Sequence, residues 1–308
     1  MVRYARLFAI VAVALGASQV ARADVLWHGD YSTGDISQWS GGEIANPDRL
    51  TVVPDPMGSK QMVLKTKVVE GDNPTHSVGG NRNELVYQED RPKEGEDRYY
   101  RWQTYWPKEY KSGDKWQIFT QWHQYVTGGS PPLAFLVWGE QIRLGTPATY
   151  HWTAPFERGK WHDFIFHVKW ASDGQIGGVE LWYDGDYVLP FTHDKTLFPH
   201  DTVYLKQGIY RSAQITNTEV IYHHGMVVGT KLEDVNPPVP AAPPAASGTS
   251  STDSSQAGLA NLPPGSSVLA KGGAGCESAG LPGALPAGIA VGSLLLSRLT
   301  LRRRARRA

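Results

Sequence analysis

Polar and apolar positions alternate with a period of two over many short stretches, the pattern of half-buried β-strands. In RYYRWQTYWP (98–107), Tyr99, Arg101, Gln103 and Tyr105 share one face, and Tyr100, Trp102, Thr104 and Trp106 the other. KWQIFTQWHQY (115–125) follows the turn KSGD. Strict alternation there sets Phe119, Gln121, His123 and Tyr125 on one face and an apolar Trp116, Ile118 and Trp122 on the other. Further strands are predicted over 81–87, 134–139, 161–170, 178–185, 203–211 and 218–225, and Asp184-Gly185 signals a tight hairpin. No long helical period and no internal repeat stand out. Many strands, alternating aromatics and Gly/Pro turns predict an all-β fold of two antiparallel sheets, a sandwich or jelly roll. Trp102, Trp116 and Trp122 are expected in its core.

The ends do not share this pattern. A basic start (MVRYAR), an apolar run (LFAIVAVALGA) and Ala21-Arg22-Ala23 have the layout of a secretory signal peptide cut after Ala23. Nothing aromatic follows Tyr222. Residues 235–275 are rich in Pro, Ala, Ser and Gly and read as a disordered linker. The one cysteine, Cys276, opens a tail (276–308) with an uncharged apolar segment (279–297) and a terminal arginine cluster. This order fits a marginal, transient membrane span with the arginines left on the cytoplasmic side. It resembles the C-terminal sorting tails of myxobacterial exported proteins. The resemblance implies delivery to the cell surface or outside, with Cys276 as the processing or attachment point.

Between these ends, residues 24–234 form one predicted domain that holds all 11 tryptophans and all 10 histidines. It has no cysteine, so disulfides play no part in its stability. The whole chain has a formal net charge of zero, yet residues 24–234 carry 20 Lys+Arg against 28 Asp+Glu. An acidic domain is a poor nucleic-acid binder. An anionic partner would need a local basic cluster, and the expected partner is an anionic polysaccharide met by a monomer. The adjacent pair His223-His224 points to opposite faces of a strand and is not read as a metal site.

Three strands carry polar groups opposite an apolar face: Arg82 and Glu84 in NRNELVY, Gln121 and His123 in FTQWHQY, and Tyr204, Lys206 and Tyr210 around Gly208 in VYLKQGIYR. Stacked in one sheet, they would floor a groove, with Gly208 leaving a gap for a sugar ring. This set suits β-elimination at a uronic acid. The proton beside the uronate carboxylate is hard to remove until a clamp such as Arg82 and Gln121 balances the developing negative charge. His123 suits the base, and a tyrosine hydroxyl such as Tyr210 the acid or both roles.

The ordered set NRNEL, QWH, W-YDG and LKQGIYR resembles the heparin lyase I-like polysaccharide lyases, including the glucuronan lyases of polysaccharide lyase family 20. DYSTGDISQW and TVVPDPMGSKQMVLK resemble that family's first strands, so the likeness runs over nearly all of 25–230. It implies a concanavalin-like β-jelly roll with a concave catalytic sheet, and elimination without a redox cofactor. It also implies Arg82 as the carboxylate clamp, His123 as the candidate base, Tyr210 as acid or acid/base, and a nearby glutamine, for which Gln121 and Gln38 both qualify. Lys206, Glu84, Arg101, Gln103, Tyr125 and Arg211 complete the expected substrate contacts, although Arg211 faces away from Tyr210 on a regular strand. Some relatives bind a structural calcium ion; no compact Asp-rich loop marks one here.

Two other functions fit the same sandwich. A lectin-like module would keep the polar groove without a base and acid in register. A retaining hydrolase would need two close carboxylates, and the E-x-D-x-E strand arrangement is missing. The acidic domain favours an unsulfated uronate chain such as glucuronan over heparin, unless a strip of Lys206, Arg82 and Arg101 overrides the net field.

Overall fold

The computed structural model describes residues 25–76, 79–146 and 149–237. The expected signal peptide, most of the expected linker and the expected tail with Cys276 lie outside them. Within the described residues, fifteen strands and one short helix follow in chain order. The strands are β1 (Val25–Gly29), β2 (Gly41–Glu43), β3 (Leu50–Pro54), β4 (Met62–Val68), β5 (Gly80–Tyr87), β6 (Asp97–Tyr105), β7 (Gln117–Gln124) and β8 (Leu133–Val137). They continue with β9 (Gln141–Gly145), β10 (Tyr150–Pro155), β11 (Trp161–Lys169), β12 (Gly178–Tyr183), β13 (Asp186–His193), β14 (Val203–Ser212) and β15 (Glu219–Gly229), before α1 (Leu232–Val235).

The pairings are antiparallel and build two sheets, an all-β sandwich of the jelly-roll type. One sheet runs β13-β12-β11-β6-β15-β4-β3 with β1 added on β15; the other runs β10-β9-β8-β7-β14-β5-β2. Alternation explains the packing. Tyr100, Trp102 and Thr104 of β6 and Phe164, Phe166 and Val168 of β11 turn inward, where they meet Trp122, Phe135 and Leu144 from the second sheet. Trp102 stacks on Phe164 at 4.9 Å, and Trp122 packs against Phe166 at 5.0 Å. Aromatic pairs of this kind add about 1 kcal/mol each beyond the area they bury. This aromatic slab holds the second sheet rigid, so its outer face can present side chains in fixed register.

Strand β7 departs from strict alternation. Its pairing with β8 shifts register between Ile118 and Thr120, and the pairing of β14 with β7 shifts between Gln207 and Tyr210. This is a β-bulge, which inserts a residue and resets the parity of the strand. Phe119 therefore points into the core, 4.9 Å from Trp106, while Gln121 and His123 lie on the outer face. Ile118 pairs with Tyr210 on that outer face, and Trp116 is only half-buried, edge-on to Tyr210 at 4.8 Å. The expectation that Phe119 shares a face with Gln121, and that Trp116 and Ile118 pack inward with Trp122, is corrected by the bulge. Trp102 and Trp122 are core, as expected.

Candidate active site

The outer face of the second sheet is centred on β5, β14 and β7, and cross-strand pairing decides which side chains meet. Arg82 pairs with Tyr210, Glu84 with Gly208, and Glu43 of β2 with Glu84. On the other side of β14, Lys206 pairs with Gln121 and Tyr204 with His123. Gly208 allows the close approach of β5: a Cβ there would lie 2.3 Å from the Asn83 carbonyl oxygen. From the interior, His223 donates to the Gly208 carbonyl from Nε2 at 3.3 Å and accepts from the Thr104 hydroxyl at Nδ1, 3.1 Å.

The floor is a charge network. Lys206 Nζ lies 2.8 Å from Glu43 Oε2 and 3.2 Å from Glu84 Oε2. Arg82 Nη1 lies 3.1 Å from Glu43 Oε2 and 3.7 Å from Glu84 Oε2, and its guanidinium sits 3.6 Å above the Tyr210 ring. Gln121 donates from Nε2 to Glu84 Oε1 at 2.5 Å. Lys206, Glu84 and Gln121 are buried, whereas Glu43 is the most open member. Burial would raise the Glu43 pKa, but Lys206 and Arg82 outweigh it and hold the carboxylate below its ordinary range. Burial likewise opposes the charge on Lys206, and Glu84 and Glu43 overcome it, raising the ammonium pKa. Two cations and two anions thus neutralise one another beneath the groove.

His123 and Tyr204 stand above this floor, both half-buried, with ring centroids 5.7 Å apart. The His123 Nδ1–H donates to the Gln124 carbonyl at 2.9 Å. A carbonyl can only accept, so the proton sits on Nδ1 and the Nε2 lone pair stays free. Burial, aided by Lys206, pushes the imidazole below its usual pKa despite that backbone bond, so the ring is neutral at pH 7. Burial pushes the Tyr204 phenol the other way, above its usual value, which keeps its proton in place. A poised acceptor and a retained proton thus stand on cross-strand neighbours of the same face. Beside them, Ser40, Gly41, Gly42, Glu43, Val86, Gln88 and Tyr204 line a cleft of about 240 Å³.

A family model described as Polysaccharide lyase matches residues 31–227. The chain belongs to this family. Among solved structures, this lyase is similar to an endo-β-1,4-glucuronan lyase from the fungus Trichoderma reesei, with 18% identity, 68% of this chain and 98% of that chain covered, and a TM-score of 0.55. It is also similar to a family GH131 β-glucanase catalytic domain from Podospora anserina (12% identity, 63% and 85% covered, TM-score 0.49). An alginate lyase from Chlorella virus is a third (9% identity, 68% and 100% covered, TM-score 0.49). At these identities the likeness is one of fold. No curated protein matches the chain.

The lyase brings Arg82, Glu84, Gln121, His123 and Lys206 together on one face. Tyr210 shares that face but lies six positions along β14 from Tyr204, the partner of His123. Its hydroxyl rests against Gly79, where a Cβ would come within 2.7 Å, on the side away from His123. Tyr125 is exposed at the end of β7, with Arg91 3.7 Å above its ring and Tyr204 at its edge. Gln38 is turned to the β1–β2 connection, accepting from Tyr31 N and donating to Asp30. Arg101 and Gln103 belong to β6 in the opposite sheet, where Arg101 pairs with Asp163, so the expectation that they contact substrate in this groove is corrected. Arg211 points into the sandwich, fully buried, and does not reach the groove. Two residues of the site were missed from sequence. Glu43 sits in a three-residue strand with no periodic signal. Tyr204 was placed on the correct face, but only the register identifies it as the partner of His123. Among the described residues, no group of three or more His, Cys, Asp or Glu side chains could hold a metal ion.

Proposed function

We propose that this polysaccharide lyase cleaves an unsulfated, glucuronan-type uronate chain by β-elimination, with His123 as base and Tyr204 as acid. The observation that carries this reading is the opposition of a neutral imidazole with a free Nε2 to a phenol that keeps its proton. His123 Nε2 removes the proton beside the substrate carboxylate. The electron pair left behind forms the new double bond as the glycosidic carbon–oxygen bond breaks, and Tyr204 gives its proton to the departing oxygen. Gln121, Arg82 and Lys206 line the floor where the carboxylate takes up negative charge. Tyr210 holds the Arg82 guanidinium from below rather than transferring a proton.

Charge supports the substrate class. Lys206 and Arg82 are matched by Glu43 and Glu84, and Arg101 lies on the other sheet, so the floor at the candidate centre carries no excess of positive charge. A balanced floor suits one carboxylate per sugar better than dense sulfation. Export, read from residues 1–23 and from the tail around Cys276, would bring the enzyme to such polymers outside the cytoplasm.

The test is incubation of the purified enzyme with polyglucuronate, alginate and heparin while following the ultraviolet absorbance of unsaturated uronate ends. Rising absorbance on polyglucuronate is expected. Binding without absorbance would mean a lectin-like module; new reducing ends without absorbance would mean hydrolysis. Strong turnover of heparin with none of polyglucuronate would overturn the substrate assignment.

A further inference from the structure

The row of side chains that starts at Arg82 continues across the whole sheet. Tyr210 pairs with Ile118, Ile118 with Leu136, Leu136 with Arg143 of β9, and Arg143 with Thr153 of β10. Ile142 and Leu144 are fully buried in the core, so Arg143 between them lies on the groove face. The adjacent row ends in the same place: Gln121 pairs with Ala134, Ala134 with Gly145, and Gly145 with Tyr150. Between the candidate centre and β9, the floor is therefore low and built of the small or apolar Ile118, Leu136 and Ala134. A wall rises beyond it.

That wall is cationic and aromatic. The Arg143 guanidinium carbon lies 5.0 Å from the Tyr150 ring and 5.4 Å from the Trp138 ring. Trp138 is itself fixed by its indole N–H, which donates to the Asp114 carbonyl at 2.9 Å. Arg82 and Lys206 spend their charge on Glu43 and Glu84. Arg143 has no carboxylate partner among the described residues, and its buried Nε has no hydrogen-bond partner. An uncompensated guanidinium on a groove face favours an anion, and the flanking rings offer a surface for the apolar face of a sugar.

We propose that Arg143, with Tyr150 and Trp138, forms a distal subsite that binds the carboxylate of a uronate residue remote from the bond being cleaved. This rests on the uronate-polymer reading above. β9 lies two strands from β7, about 10 Å across the sheet, so the sugar held there is not the one that reacts. Arg143 then contributes affinity and selects for charged residues along the chain without taking part in bond breaking.

The test is Arg143→Met, which keeps the aliphatic stem and removes the charge. Intrinsic tryptophan fluorescence titrations with polyglucuronate and with carboxyl-reduced polyglucuronate, together with steady-state kinetics, read the effect. Affinity for polyglucuronate is expected to fall about tenfold, the loss of one charge-assisted hydrogen-bonded contact. KM should rise by a similar factor while kcat holds within about twofold, and affinity for the neutral, carboxyl-reduced polymer should not change. Unchanged affinity for polyglucuronate would overturn the proposal. So would an equal loss on both polymers accompanied by a lower melting temperature, which marks a structural role. If the native enzyme binds polyglucuronate but forms no unsaturated product, the elimination reading fails, and the titration still decides the role of Arg143.

Discussion

His123 and Tyr204 face each other from neighbouring strands, ring centroids 5.7 Å apart, while Tyr210 turns its hydroxyl toward Gly79. The two tyrosines should therefore respond differently to loss of the hydroxyl. Tyr204→Phe is expected to lower kcat about 10²–10⁴-fold, the usual contribution of a positioned proton donor. Tyr210→Phe keeps the ring beneath Arg82 and should cost less than about fivefold. Initial rates of product absorbance for the two variants check this.

The pH profile should carry the signature of both groups. His123 acts only when neutral, and its pKa is pushed below the ordinary 6.5 by burial, so activity should rise with pH through an acid limb centred below 6.5. Tyr204 acts only when protonated, and its pKa is raised above 10.0 by burial, so the alkaline limb should lie above 10. Measuring kcat/KM against pH tests the assignment. An acid limb centred above 6.5 would be inconsistent with His123 as base.

Glu84 is buried, within 3.2 Å of Lys206 and bonded to Gln121. Glu84→Gln leaves a buried ammonium short of one counter-charge and should destabilise the fold by about 3 kcal/mol. Pairing it with Lys206→Met removes the uncompensated charge and should recover much of that loss. Urea denaturation of the single and double variants measures both changes.

Gly208 has φ +155°, and an added Cβ would meet the Asn83 carbonyl oxygen at 2.3 Å and the Glu84 Cα at 2.8 Å. These are backbone atoms and cannot swing aside. Gly208→Ala should therefore push β5 from β14 at a cost of about 1–3 kcal/mol. It should also reduce activity, because Arg82 and Glu84 ride on β5. Thermal melts and turnover of the variant test both consequences.

Strand patterning was legible where strands are regular and misleading where they are not. β6 and β14 keep strict alternation, and their two faces were readable from residue type alone. In β7 the bulge beside Phe119 resets the parity, so Trp116 and Ile118 were assigned to the wrong side. Alternation also says which residues share a face, not which sheet the strand joins; Arg101 and Gln103 were drawn into the groove for that reason. Which tyrosine stands opposite His123 depends on register, which partner strands set and a single segment does not reveal. Glu43 gave no signal because a three-residue strand is too short to show a period.

Product formation on polyglucuronate by the native enzyme and by His123→Ala, Tyr204→Phe and Tyr210→Phe tests the central claim most directly. Unsaturated ends should accumulate with the native enzyme and with Tyr210→Phe, and fall by at least about 10²-fold with the other two. Full activity of Tyr204→Phe beside an inactive Tyr210→Phe would contradict the pairing of His123 with Tyr204 as the proton-transfer couple.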